Sequence, residues 1–282
     1  MEFKNLAHSS IEDILFTFNL SFSDYIVPFH LTKEQLVSKI NFERIDLNLS
    51  AGAFEGGQLV GFILIAEKEE NGQRMLYNAG TGVIPESRGK GLVRKMYDFV
   101  LGKERKTDIL ILEVIEGNEP AIRAYENLGF TVVRKLLCFH GNINPAQGNP
   151  DVVIQELEEF QWETFRSFWD IEPSWQGSVF ILDQMQKDCT VLGAYEKGKL
   201  VGYTVYNPAL RKIYQIAVDK NYRQQGIGTM LLGAIGARNN GQPVSFNNVD
   251  NASEAASIFL EKKIGLKNWV SQFEMKRIPE QL

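Results

Sequence analysis

At 282 residues the chain is about twice the length of a common domain, so two compact cores are expected. A 44% apolar and 23% charged composition is that of a globular protein, and no run of about 18 apolar residues is present to span a membrane. A net charge of −5 argues against a nucleic-acid binder, whose affinity needs a basic face. Cys138 and Cys189 offer neither a disulfide framework nor metal spacing, and Met1–Leu6 lacks a signal-peptide layout. Reduced thiols in a cytoplasmic protein are the expectation.

Along the chain, Ile11 to Phe18 reads as helix. Thr32-Lys33-Glu34-Gln35 forms a capping box for a second helix, with Leu31 and Leu36 spaced as a hydrophobic staple. Strands are expected over 49–55, 58–66 and 74–84, the first two joined through the glycine turn Glu55-Gly56-Gly57-Gln58. The polar stretch Glu67–Arg74 reads as a long turn. A basic glycine loop, Arg88-Gly89-Lys90-Gly91-Leu92-Val93, then leads into a helix over about 91–103. Thr107–Ile115 is expected as strand, Pro120–Leu128 as a helix stopped at Gly129, and Phe130–Phe139 as strand. Gly141–Pro150, rich in turn formers, reads as the linker between domains 1–140 and 151–282. Beyond it the order repeats: strand 152–157, helix 161–169, strands 190–195, 199–206 and 211–219, helix 226–238, strand 243–249, helix 252–263 and strand 267–277. Each half is thus an α/β (α+β) domain with a mixed, mostly antiparallel sheet flanked by helices.

The repetition is also literal. Phe54–Phe62 is mirrored by Tyr195–Tyr203, the loop at Arg88 by Arg223-Gln224-Gln225-Gly226-Ile227-Gly228, and Tyr125–Phe130 by Phe259–Leu266. The separations are 141 residues at the hairpin (Gly61 to Gly202), 135 at the loop (Arg88 to Arg223) and 136 at the helix end (Gly129 to Gly265). Ordered landmarks at nearly constant spacing indicate duplication. The six extra residues of the first copy fit the Glu67–Arg74 turn. Each loop joins an apolar strand to an apolar helix, which aims backbone N–H groups and the positive end of a helix dipole at one spot, an arrangement that binds phosphate. Neither loop ends in the Gly-Lys-Ser/Thr of a P-loop, and neither fits the Rossmann Gly-x-Gly-x-x-Gly.

These residues resemble the GCN5-related N-acetyltransferase (GNAT) family in tandem, as in its two-domain members of the mycothiol-synthase type. Arg223–Gly228 matches the family's pyrophosphate loop at every position, and the first copy matches at Arg88 and Gly91 but carries Val93 where a small residue is usual. Asn118, Ala121 and Tyr125 match the family's next landmark. The resemblance implies acetyl-CoA (or CoA) as the ligand. Backbone and side chains of Arg88, Gly89, Lys90, Gly91, Leu92, Val93 and Arg94 would hold it in the first copy, and Arg223, Gln224, Gln225, Gly226, Ile227, Gly228 and Thr229 in the second. Val83, Ile84, Ala217 and Val218 would flank the pantetheine arm, with Asn118 also at the cofactor site.

The implied chemistry moves an acyl group from a thioester to an amine, which requires a proton for the departing thiolate. Tyr125 occupies the family's acid position, whereas the second copy offers Phe259 or Glu261 there, and no phenol. Arg94 is placed to pair with a phosphate. Glu113 and Glu116 at one strand end, and Asn247, Asn248 and Asp250 at the other, assign no general base. His8, His30 and His140 are scattered, so no metal site is indicated. Phe22, Tyr25, Phe29 and His30, or Trp169, Trp175 and Gln176, are positioned to line an acceptor cleft for a small-molecule amine or to pack as core. Chemistry in the first copy, chemistry in the second, and a non-catalytic acyl-CoA-binding module are three readings open to the sequence.

Overall fold

The computed structural model describes residues 1–27, 29–70, 72–102, 108–143 and 149–278. Contacts divide the chain into two compact units: Met1–Val133 together with the segment from Phe273 onward, and Arg134–Gln272.

The first unit contains β1 (Glu2–Asn5), α1 (Ile11–Ser21), α2 (Lys33–Phe42), β2 (Ala51–Glu55), β3 (Gln58–Glu70), β4 (Gln73–Val83), α3 (Leu92–Leu101), β5 (Ile109–Ile115) and α4 (Glu119–Glu126), with the start of β6 (Thr131–Gly141). Its strands run in the order β1-β2-β3-β4-β5, and β4 and β5 are parallel while β1 to β4 pair antiparallel. Alternation along β3 separates two cores: Phe62 and Leu64 face α1 and α2 with Phe18 and Leu36, and Ile63 and Ile65 face α3 with Leu92 and Met96. Each fully buried side chain of this size contributes about 1.5–3 kcal/mol relative to exposure. Local signals set the helix starts. Ser10 caps α1, and Thr32 and Gln35 make both bonds of the expected capping box.

The second unit contains the rest of β6, then β7 (Val152–Leu157), α5 (Trp162–Ser167), α6 (Val179–Leu182), β8 (Thr190–Glu196), β9 (Lys199–Asn207), β10 (Lys212–Val218), α7 (Ile227–Arg238), β11 (Val244–Asp250), α8 (Glu254–Ile258) and the start of β12 (Lys267–Arg277), with a π-helical turn over Phe259–Ile264. The strand order is β6-β11-β10-β9-β8-β7, again with one parallel pair, β10 with β11. Leu231, Leu232 and Ile235 of α7 are buried on one side of this sheet, and Phe165 and Leu182 on the other.

Several sequence expectations change. By contacts the units divide within β6 and β12, and of the expected linker at 141–150 residues 144–148 lie outside the described residues. Residues from Phe273 belong to the first unit because Met275 is fully buried in its core. The six extra residues at Glu67–Arg74, apart from Asn71 outside the described residues, lengthen a hairpin instead of a turn. The β3–β4 ladder continues to Glu70↔Gln73, and Arg74 bonds Glu67 and Asp108. Opposite charges across paired strands favour continued pairing there. The short β1 had no periodic signal. Thr107 and Lys103, expected at a strand start and a helix end, lie outside the described residues.

Candidate active site

The duplication persists in the backbone. In the first unit Gly61 pairs with Val83, Phe62 with Gly82, Ile63 with Thr81 and Leu64 with Gly80, followed by a bulge at Ala79 and the pair Ile65↔Asn78. In the second, Gly202 pairs with Val218, Tyr203 with Ala217, Thr204 with Ile216 and Val205 with Gln215, followed by a bulge at Tyr214 and the pair Tyr206↔Ile213. Every partner on β4 and β10 differs by 135 residues, the bulge included. The parallel neighbours part at the same place: β4–β5 pairing ends at Asn78↔Leu112 and β10–β11 pairing at Ile213↔Phe246. Among the described residues β4 and β10 have no parallel pairing beyond that point, where the chain continues through Val83 and Ile84 and through Ala217 and Val218.

A glycine loop follows each of these strand ends. Gly89 and Gly91 have φ of 74° and 69°, and Gln224 and Gly226 have φ of 63° and 81°. Alternate left-handed residues turn successive N–H groups to one side. Gly91 and Gly226 are the N-caps of α3 and α7 without side-chain capping, and the first intrahelical bonds are Lys95 N to Gly91 O and Met230 N to Gly226 O. The amides of Leu92, Val93 and Arg94, and of Ile227, Gly228 and Thr229, therefore have no acceptor within the helix. Lys90 and Arg94 are exposed beside the first loop, Lys90 at 3.8 Å from Glu55, and Gln225 donates to Asn221 O beside the second.

The two arginine side chains are bonded within the protein. Arg88 Nε donates to Val83 O, and its other nitrogens donate to Asp24 and Ser21 O at 2.7–2.9 Å. Arg223 does the same with Val218 O, Asp170 and Phe168 O. Each guanidinium ties strand, loop and preceding helix together, and holds its carboxylate partner's pKa below the usual range. Val93 packs its side chain against the core, while the matching Gly228 leaves room for the Phe259 ring, which lies 3.0 Å from where a Cβ would stand.

Around Tyr125 the two units diverge. Tyr125 is 7% exposed and packs edge-on against Tyr97 and Phe130. Burial pushes its phenol up to about 12. Asn78 Nδ2 donates to Thr81 Oγ1 at 2.8 Å and to Tyr97 OH at 2.6 Å. In the second unit the residues 135 positions on are Ile213, Ile216, Leu232 and Leu260. Leu260 is the counterpart of Tyr125 by hydrogen bonding: its carbonyl accepts from Leu266 N, as that of Tyr125 accepts from Phe130 N. This corrects the placement of Phe259 or Glu261 there, since the π-helical turn absorbs the added length. Asn118 caps α4 through Ala121 N and donates to Tyr25 OH at 3.1 Å, so its side chain organises the site rather than projecting free.

The family model for the acetyltransferase (GNAT) family matches residues 14–130 and again 154–265. The chain belongs to the GNAT acetyltransferase family. It is a tandem, GNAT-type acetyltransferase, and the family's activity is acyl-CoA-dependent N-acetylation. A GCN5-related N-acetyltransferase from Sphaerobacter thermophilus shares the fold with a TM-score of 0.76, 15% identity, and coverage of 99% of this chain and 96% of that one. A tandem GNAT protein from the clavulanic acid biosynthesis pathway gives a TM-score of 0.70 at 15% identity over 100% and 99% of the two chains. A putative acetyltransferase from Pyrococcus horikoshii gives 0.70 at 14% identity over 99% and 91%. No curated protein sequence matches the chain.

The remaining GNAT positions lie on the opposite sheet face. In the first unit Phe22, Tyr25 and Phe29 join Phe18 and Phe62 in a cluster of ring contacts at 4.7–6.2 Å, with His30 exposed beside it. A Cβ at Gly80 would stand in ordinary van der Waals contact with Phe18, Phe62 and Leu64, at 3.9–4.0 Å. In the second unit Gln215 takes the place of Gly80 and Tyr203 that of Phe62. Tyr203 stacks on Phe165 at 3.7 Å, accepts from Trp169 Nε1 at 2.6 Å and donates to Gln215, whose amide donates to Gly177 O. Trp175 is buried nearby, and Gln176 accepts from Lys212. Glu113 is half-buried and accepts from Tyr77 OH, whose pKa burial holds well above the phenolic range; Glu116 is exposed. Asn248 accepts from Gln272, and Asp250 bonds Arg134 and the Ala252 amide.

Sequence reading missed Asn78, Thr81, Tyr97 and Gln215. A signal was present: each is a polar residue in one copy facing an apolar residue or glycine in the other, within a repeat that otherwise matches.

Proposed function

We propose that the protein moves the acetyl group of acetyl-CoA to a primary amine of a small molecule, with the chemistry in the first unit. The observation that carries this reading is the buried phenol of Tyr125, which the second unit replaces with Leu260 inside an apolar core. Acetyl-CoA supplies the activated thioester. The amides of the Gly89–Arg94 loop would hold its pyrophosphate, and the open edge of β4 at Val83 and Ile84 its pantetheine arm. Tyr125, protonated throughout the physiological range, donates its proton to the departing sulfur. The Phe22–Tyr25–Phe29 cluster offers an apolar wall for the body of the amine. The second loop, with the same amide geometry, would bind a second CoA moiety without a proton donor beside it.

Cys138 and Cys189, neither of them in a disulfide among the described residues, support a cytoplasmic setting. The test is Tyr125→Phe, assayed for CoA release against a panel of primary amines, with calorimetric titration of acetyl-CoA alongside. Turnover falls by about ten- to a thousandfold with acetyl-CoA affinity retained. Unchanged turnover would move the chemistry to the second unit.

A further inference from the structure

The two units also differ on the sheet face opposite Tyr125. Leu112 and Val114 of β5 pack in the core under α3, so Glu113 between them turns to the α1–α2 face. On β4, Leu76 packs in that same core and Asn78 bonds Tyr97 of α3, so Tyr77 between them also turns to the α1–α2 face. The buried Tyr77 hydroxyl donates to Glu113 Oε2. Pairing of the two strands ends at Asn78↔Leu112, and Glu113 is the first residue of β5 past that point. The rings of Phe22 and Phe29 pack on Phe18, which stacks on Phe62 of the same face. Tyr25, edge-on to Phe22, reaches Asn118 just past the end of β5.

In the second unit the corresponding last pair is Ile213↔Phe246, which puts Lys212 in the place of Tyr77 and Asn247 in the place of Glu113. Lys212 Nζ donates to Gln176 and lies 4.7 Å from the centre of the Tyr214 ring. A carboxylate bonded by a neutral donor has become an amide next to a cation. Strand pairing does not require the acidic version, since the second unit forms the same ladder without it. A half-buried carboxylate costs solvation, which hydrogen bonds such as that from Tyr77 offset. The acidic pair and the Tyr125 phenol occur in the same unit and are replaced together in the other.

We propose that Glu113, oriented by Tyr77, binds the acceptor amine as its ammonium ion and so selects cationic primary amines with an apolar body; the proposal rests on the reading of the first unit as the site of acetyl transfer. A primary alkylamine resembles the lysine side chain, whose pKa is about 10.4, and is cationic at neutral pH. Its N–H groups donate to the Glu113 carboxylate in charge-assisted bonds, which are stronger than neutral ones. The Phe22–Tyr25–Phe29 wall on the same face covers the apolar body. Tyr77 is a positioning residue: at 2% exposure it is out of reach of a substrate and acts through the orientation of the carboxylate. In the second unit Asn247 beside Lys212 offers a cation no negative charge.

The test titrates benzylamine and butylamine calorimetrically at neutral pH, each against its uncharged counterpart, benzyl alcohol or butanol, in the presence of CoA. The proteins are wild type, Glu113→Gln, Tyr77→Phe and the double variant, and CoA release from acetyl-CoA is followed alongside with both amines. Wild type is expected to bind at least one amine about tenfold or more tightly than its alcohol. Glu113→Gln keeps an acceptor for the Tyr77 hydroxyl but carries no charge. It should abolish the preference while alcohol binding stays within about threefold. Tyr77→Phe should weaken the same amine by about three- to tenfold, and add no further loss in the Glu113→Gln background. No preference for either amine in wild type, a preference that survives Glu113→Gln, or equal losses for amine and alcohol would overturn the proposal. A preference abolished by Glu113→Gln, with no CoA release from wild type, would leave the ammonium site standing and overturn instead the reading of acetyl transfer in the first unit.

Discussion

The two units of this GNAT protein share a backbone and differ in where they keep their buried polarity. In the first, polar side chains gather on the α3–α4 side of the sheet, at Asn78, Thr81, Tyr97 and Tyr125, and the opposite face at Gly80 and Phe62 is apolar. In the second the arrangement is reversed. The α7 side is Ile213, Ile216, Leu232 and Leu260, and the opposite face is filled by the hydrogen-bonded Trp169–Tyr203–Gln215 group. Glycine loop and arginine tie are common to both. Duplication has thus preserved the glycine loops and arginine ties and exchanged the buried polar groups. A backbone can be retained while its site is rewritten, provided each buried polar group finds a partner.

This contrast can be broken experimentally, most strongly by Tyr125→Phe, with its expected ten- to thousandfold loss of turnover. Next comes transplanting the closure of the second unit into the first. Gly80→Gln places an amide against Phe18 and Phe62, where no hydroxyl corresponds to that of Tyr203. Turnover should fall at least about tenfold and stability by about 1–3 kcal/mol in urea unfolding. Adding Phe62→Tyr should return much of the stability and none of the turnover.

A pH profile sharpens the assignment of the acid. Burial raises the Tyr125 phenol to about 12, and the donor is the protonated form. Below that value the donor is therefore present, and kcat/KM should show no alkaline fall between pH 8 and about 10. A fall in that window that disappears in Tyr125→Phe would show a phenol ionising near its ordinary value of about 10. The smallest effect concerns the loops. Gln224 occupies the left-handed conformation that Gly89 takes in the first copy. Gly89→Ala should cost about 1 kcal/mol, and Gln224→Gly should be neutral or stabilising by up to about 1 kcal/mol, both read from thermal unfolding.

Local sequence was sufficient for the elements with local causes. The Thr32–Gln35 box, the stop at Gly129 and the basic glycine loops depend on neighbours within one turn, so their chemistry is written in adjacent residues. The constant spacing of landmarks carried the duplication and the family, and Tyr125 with them. Tertiary structure decided what depends on residues distant in sequence. The polar stretch at Glu67–Arg74 became paired strand because Arg74 meets Asp108, 34 residues away. Arg88 and Arg223 became ties because Asp24 and Asp170 face them across 64 and 53 residues. The count of extra residues before Gly265 was visible, but which side chain took the place of Tyr125 depended on a π-helical turn and a carbonyl shared with Leu266. Asn78 is one more polar residue in a strand until the Ala79 bulge and the approach of α3 set its amide against Thr81 and Tyr97. Backbone preference acts over a few residues, whereas a buried polar group acquires its meaning from whatever partner the fold brings within about 3 Å.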